Sequence, residues 1–452
     1  MRGVRFAGLL GMAIFAGALS GCVDERIVYR DKPLFEDPPQ AAVGFLGYSN
    51  ADQKKTACGN CHAGQQVKWA ESKHATAWAD LQANSHADDT CVDCHTVNAL
   101  GNAATASVAY AATKDPRYED VQCESCHGAG LEHVTDASKT QPTASILAGE
   151  DKTNGCGECH ADSHHPFVEE WEGSRHAEWN DHASSASCLG CHEAKSILKD
   201  KFGVTSVYAE SSDTAKIGIT CAVCHDPHGN GNTAQLRMEA SSHTGSTNLC
   251  YQCHQRNPLP SGSTSRNYPH SPQGPLVLGD QVGWLPPGFT TDKIIGTHGS
   301  EANPGLCVTC HMASYAVNAT TNTTGHMFKA IPCKDAEGLL THDESCDMSA
   351  RSFKSCLGSG CHGTETAARS AILASETRLT SASAELKRLV ALAKAKVPAD
   401  YKTDTTVTPL EGADFNSQIM EHDLSKGAHN PFYVDALLNA SITYIKSYYG
   451  VQ

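Results

Sequence analysis

Cys-x-x-Cys-His stands eight times in this chain: at Cys58, Cys61 and His62; Cys91, Cys94 and His95; Cys123, Cys126 and His127; Cys156, Cys159 and His160; Cys188, Cys191 and His192; Cys221, Cys224 and His225; Cys250, Cys253 and His254; and Cys307, Cys310 and His311. One chemistry uses all three residues. Two thiols at this spacing form thioether bonds to the two vinyl groups of one porphyrin, and the next His sits under the iron as proximal ligand. Zinc sites share one ion between two Cys-x-x-Cys units, and disulfides need no His at all. A ninth site, Cys356-Leu-Gly-Ser-Gly-Cys361-His362, has two extra loop residues, and its glycines let the wider loop bend. The expectation is nine covalently bound c-type haems. Eighteen of the 21 cysteines are then used. Cys22 is read as a lipidation site, and Cys333 with Cys346 as a disulfide of an oxidising compartment, against two free thiols.

Nine His are proximal and fifteen remain. A six-coordinate haem needs one more ligand. His74 and His176 share the pattern Trp-x-x-Ser-x-His-Ala, read as helical. His86 and His182 each precede the middle motif of a triplet, and His133 and His228 each follow the third motif. These six are expected to serve the first six haems, three within each triplet. For the last three, His298, His326 and His429 are favoured, with His270 and His243 next. His164 and His165 compete, while His342 and His422 are left over. Two imidazoles on one iron leave no open position for substrate, so such haems shuttle electrons.

The elements that must hold these residues are sparse. Leu, Ile, Val and Phe number 77 of 452 residues, below the ~20% at which a charged chain usually folds on side chains alone. Porphyrin faces are expected to fill the interior. The fold class expected is mainly α with much irregular coil, organised around covalent haems, with little β. The first Cys of successive motifs steps by 32 or 33 residues five times, and a finer echo recurs over about 98 residues. The chain is therefore divided into 1–21 signal peptide, 22–50 tether, 51–140 trihaem module, 141–235 its duplicate, 236–363 an irregular trihaem segment and 364–452 a helical cap. In the cap, Ile372, Leu379, Leu386 and Ala393 repeat every seven residues, and Pro398 follows. Asn430-Pro431 opens a second helix striped by Leu437, Leu438, Ile442, Ile445 and Tyr449 and closed by Gly450. The two are expected to form a C-terminal helical hairpin.

At the N-terminus, Arg2 and Arg5 precede the apolar stretch from Phe6 to Leu19, too short to span a bilayer and suited to a secretory signal. Leu19-Ser20-Gly21-Cys22 resembles a bacterial lipobox, which predicts membrane attachment at Cys22. The formal charge of −15 argues against nucleic acid as a partner.

The residues around the motifs resemble the bacterial multihaem c-type cytochromes, a group that includes pentahaem nitrite reductases, octahaem hydroxylamine-oxidising and tetrathionate-reducing enzymes, and lipoprotein cytochromes of metal-reducing bacteria. The likeness lies in Cys123-Glu-Ser-Cys126-His127-Gly-Ala-Gly with His133, Cys221-Ala-Val-Cys224-His225-Asp-Pro-His228-Gly, Tyr268-Pro-His270, Cys307-Val-Thr-Cys310-His311-Met312 with His326-Met-Phe328, and Gly427-Ala-His429-Asn430-Pro431. The resemblance implies that His429 is a distal ligand ahead of a helix. The lysine-ligated catalytic haem of most nitrite reductases is absent. The resulting expectation is an exported outer-membrane lipoprotein, facing the periplasm or cell surface. It would be a carrier rather than an enzyme, passing electrons between redox proteins and extracellular acceptors such as metal oxides. The alternative is a reductase or oxidase of small nitrogen or sulfur oxyanions at one open haem. A filament of stacked subunits is disfavoured by the tether.

Overall fold

One turn of helix is the local unit from which this molecule is built. His62 N donates to Cys58 O at 2.9 Å, and the same bond joins His160 to Cys156, His225 to Cys221 and His254 to Cys250. That bond closes an α-type turn, which at Cys58 and Cys250 ends a short 3-10 helix, and residues i, i+3 and i+4 of such a turn share a face. Both thiols and the imidazole of a motif therefore leave the backbone on one side. The ninth site reaches the same closure with its wider loop: His362 N donates to Cys356 O at 3.2 Å, and Cys361 N to Gly358 O at 3.0 Å.

The computed structural model describes residues 35–149, 155–162, 166–261, 268–292, 294–318, 322–358, 360–401 and 406–452. The expected signal peptide and Cys22 lie outside them, as do His164 and His165. Residues 37–452 form one unit. Helices and coil dominate it. The described strands are two short antiparallel pairs, Tyr48–Asn50 with Lys55–Thr56 and Cys333–Lys334 with Leu340–Thr341. A disulfide joins Cys333 to Cys346. The stretch expected to be tether is packed at its end. Ala42, Phe45, Leu46 and Tyr48 are buried, and Tyr118 Oη donates to Phe45 O.

The two echoes of Trp-x-x-Ser-x-His-Ala fold alike. Trp69 Nε1 donates to Val121 O at 2.8 Å, and Trp171 Nε1 to Ile219 O at 2.7 Å. In return Val121 N donates to His74 O and Ile219 N to His176 O. Neither His lies on the expected α-helix. The helices end at Ala70 and Glu172. Ser72 N and Ser174 N then bond back to the Trp carbonyls, turning the chain ahead of each His.

The largest apolar core belongs to the C-terminal segment. The helix Glu365–Lys396 buries Leu379, Leu386, Leu389 and Ala393 against Val434, Leu437, Leu438 and Ile445 of the helix Pro431–Tyr449. Asn430 caps the latter by accepting from Tyr433 N, and Gly450 ends it in the left-handed conformation, as glycine readily does. The connection between these two helices contains the helices Pro409–Ser417 and Ile419–Asp423, whose Leu410, Phe415 and Ile419 are fully buried. Leu276 and Val282 join this core from outside the cap. No described helix is long and apolar enough to cross a membrane.

Candidate haem sites

Imidazole rings face one another across gaps of one repeated width. Ring centres stand 6.3 Å apart for His62 and His133, 6.2 Å for His160 and His74, 6.1 Å for His127 and His228, and 6.3 Å for His192 and His270. They stand 6.3 Å apart for His225 and His326, His254 and His176, and His362 and His298, and 6.2 Å for His311 and His429. An imidazole nitrogen binds a first-row metal at about 2.0–2.1 Å and lies about 1.1 Å from its ring centre, so two rings on opposite sides of one ion stand about 6.3 Å apart. Each gap is the width of one iron with two axial imidazoles. In each pair one ring follows a Cys-x-x-Cys or Cys-x4-Cys motif. The residues present therefore fit a covalently held haem.

Several of these rings are oriented by a second bond. His127 Nδ1 lies 2.7 Å from Pro142 O, His133 Nδ1 2.8 Å from Thr140 O, and His225 Nδ1 2.7 Å from Ala234 O. His298 Nδ1 lies 2.6 Å from Ala428 O, His311 Nδ1 2.9 Å from Phe328 O and His95 Nδ1 2.8 Å from Ala77 O. A carbonyl can only accept, so Nδ1 carries the proton and Nε2 keeps the lone pair that a metal needs. Burial holds His176 and His311 down at about 4, with neighbouring His adding to the effect, and lowers His74, His127, His254 and His326 as well. Neutral imidazole is the ligating form. Phe167 packs edge-on against His160 and His326, and Phe328 against His176.

The motifs also meet through their thiols. Side-chain contacts join Cys58 to Cys123, Cys156 to Cys221, and Cys250 to Cys307. Between these contacts, Cys126 is within electrostatic reach of Cys156, Cys250 of Cys224, and Cys310 of Cys356 and Cys361. Two further contacts stand to the side, Cys94 with Cys159 and Cys191 with Cys253. Residues far apart in the chain thus bring all nine motifs into one connected set.

The pairing differs from the expected one within triplets. His133 faces His62 of its own triplet, but His74, His176 and His228 each face a motif of another, and His326 faces His225 instead of one of the last three motifs. The reason is reach. Each Trp-x-x-Ser-x-His turn is pinned to the strand-like stretch before the third motif of its triplet, which aims its His at the next triplet's first motif. His298 and His429 face the ninth and eighth motifs, and His270 faces the fifth. His86 and His182 are exposed, and neither faces a second imidazole among the described residues. His95, half-buried, likewise faces no second imidazole among the described residues. His243 Nε2 contacts Ser300 O, His342 lies against Gly173, and His422 stacks on Tyr268. The echo reappears in the pairing: His74 follows the first motif and faces the fourth, and His176 follows the fourth and faces the seventh.

Residues 57–128 match the family model described as cytochrome c554 and c-prime, and residues 215–258 match that of a doubled CXXCH motif. Over 150 residues the chain is 28% identical to Multiheme cytochrome MtrA of Shewanella baltica (strain OS185), a match covering 30% of this chain and 42% of that one. It thus spans less than half the length of that curated relative. Among solved structures it is similar to the Outer Cell Wall Cytochrome OcwA, with a TM-score of 0.57 and 16% identity over 89% of this chain and 100% of that one. That likeness is one of fold.

Proposed function

We propose that this chain, a multihaem c-type cytochrome, is a nine-haem electron carrier whose sites form a single branched row, a reading that the family-model matches and the likeness to Multiheme cytochrome MtrA support. A bound haem supplies reversible one-electron chemistry at its iron. The chain supplies everything else. Thiols of each motif would hold the group covalently, at eight of the nine motifs a second imidazole would face the first across it, and backbone carbonyls set several of the tautomers. The thiol contacts order the sites as His62, His127, His160, His225, His254, His311 and His362. The site of His95 branches beside His160, and that of His192 beside His254. The division into two trihaem modules, an irregular segment and a cap is part of this reading, supported by the matching Trp69 and Trp171 bonds.

The observation that carries the proposal is the set of eight opposed imidazole pairs at one spacing. At those eight sites an imidazole would take each side of the iron, which suits a carrier. An exported lipoprotein attached at Cys22, which serves redox partners and extracellular acceptors such as metal oxides, is the setting proposed from the lipobox-like sequence. The decisive measurement combines a pyridine haemochrome assay of haem per chain with the spin state of the oxidised protein. Nine haems per chain, with at least eight low-spin, are expected. Fewer than eight low-spin haems would sink the carrier reading and favour oxyanion chemistry at an open site.

A further inference from the structure

His429 differs from the other oriented rings in what its Nδ1 meets. Those of His95, His127, His133, His225, His298 and His311 meet neutral carbonyls, and that of His326 meets Thr324. His228 Nδ1 stands 3.6 Å from Asp226, beyond hydrogen-bond distance. His429 Nδ1 lies 2.6 Å from Asp423 Oδ1, and Asp423 is only 2% exposed. The loop is built to keep this geometry. Ser425 Oγ donates to the other oxygen, Asp423 Oδ2, and accepts from His429 N at 3.2 Å. Gly427, at φ +86°, presses on Leu379 so closely that a Cβ there would overlap it. Asn430 Nδ2 donates to Leu276 O and Ile294 O.

A carboxylate removed from water needs a strong donor, and the ring N–H supplies it. The pull also works in the other direction. A carboxylate on Nδ1 draws the ring toward imidazolate, makes Nε2 a stronger donor to a metal, and places negative charge beside the site. Both effects favour the ferric over the ferrous state.

We infer that Asp423 is a positioning residue that, through His429, lowers the reduction potential of the site shared by His311 and His429. The site stands next to the end of the row, so it gives electrons readily to the terminal site of His298 and His362. This rests on the reading of His311 and His429 as ligands of one haem, and the test separates the two. Potentiometry followed optically and by EPR is run on the full haem-loaded protein, its Asp423→Asn and Asp423→Glu variants, and Ser425→Ala. Asp423→Asn should keep every haem and every low-spin signal while one redox component moves to higher potential and one low-spin signal shifts. Asp423→Glu should restore both in part. Ser425→Ala, which frees carboxylate charge for the ring, should move the same component the other way, and it serves should Asp423→Asn not fold. Unchanged potentials in Asp423→Asn and Ser425→Ala overturn the inference. A His429→Ala protein that retains all its low-spin haems overturns the ligand reading, and the inference with it.

Discussion

Glu124 sits between the two cysteines of the third motif, yet its carboxylate works elsewhere. It accepts from Leu46 N at 2.9 Å and from Gly47 N and Gly130 N at 2.7 Å. Burial pushes its carboxyl up, and the three N–H donors push it back down without cancelling the rise. One side chain thereby fastens the start of the fold to a haem-attachment turn. Replacing it with Ala leaves three buried donors unpaired, which should cost on the order of 3 kcal/mol. Glu124→Gln, which keeps one acceptor oxygen, should lose less. Urea midpoints by far-UV circular dichroism decide this, with exposed Glu71→Ala as control; equal midpoints for the Glu124 and Glu71 variants would refute it. Legibility at this scale divides by distance along the chain. Thiols and proximal His could be read from spacing because one helical turn places them together. The imidazole opposite His160 comes from His74, and no local pattern records a partner that far away.

Helix termini show the same division. Asn430 and Gly450 announce the limits of the last helix, and the seven-residue repeat from Ile372 announces the long one, because capping and periodicity are local. The helix Pro409–Ser417 was equally announced: Thr408 and Glu411 form a capping box around Pro409 at the first helical position. Its apolar residues are few and its neighbours polar, so its periodic signal is weak. Asn430 is more than a cap. Fully buried, it joins three segments through Tyr433 N, Leu276 O and Ile294 O. Asn430→Ala should therefore cost about 2 kcal/mol or more, above an ordinary cap loss. Thr408→Ala, at a more exposed terminus, should cost about 1 kcal/mol. If the two thermal shifts match, Asn430 is acting as a cap alone.

At the scale of the molecule, side-chain cores and haem sites divide the chain between them. Outside the C-terminal core the apolar clusters are small. One gathers Phe45, Val97, Val108 and Tyr118, and another Ile146, Ile197, Leu198 and Val223. Clusters of that size cannot offset the entropy of ordering some 90 residues around them. On the proposed nine-haem reading, residues 51–140 and 141–235 take their order from thioether bonds, imidazole ligation and the porphyrin surface. The cap has in addition a side-chain core of its own, since Leu379, Leu386, Leu389, Leu437, Leu438 and Ile445 bury one another. Production of the full chain without haem attachment should separate the two. Hydrogen exchange should show protection confined to residues 365–396 and 409–449, with residues 55–240 exchanging as an unfolded chain. The cap itself should be weakened, because Leu276 and Val282 reach it from a segment that needs haem. Protection of residues 55–240 at the level of the loaded protein would mean that the small clusters suffice, and that the shortage of apolar residues has some other source.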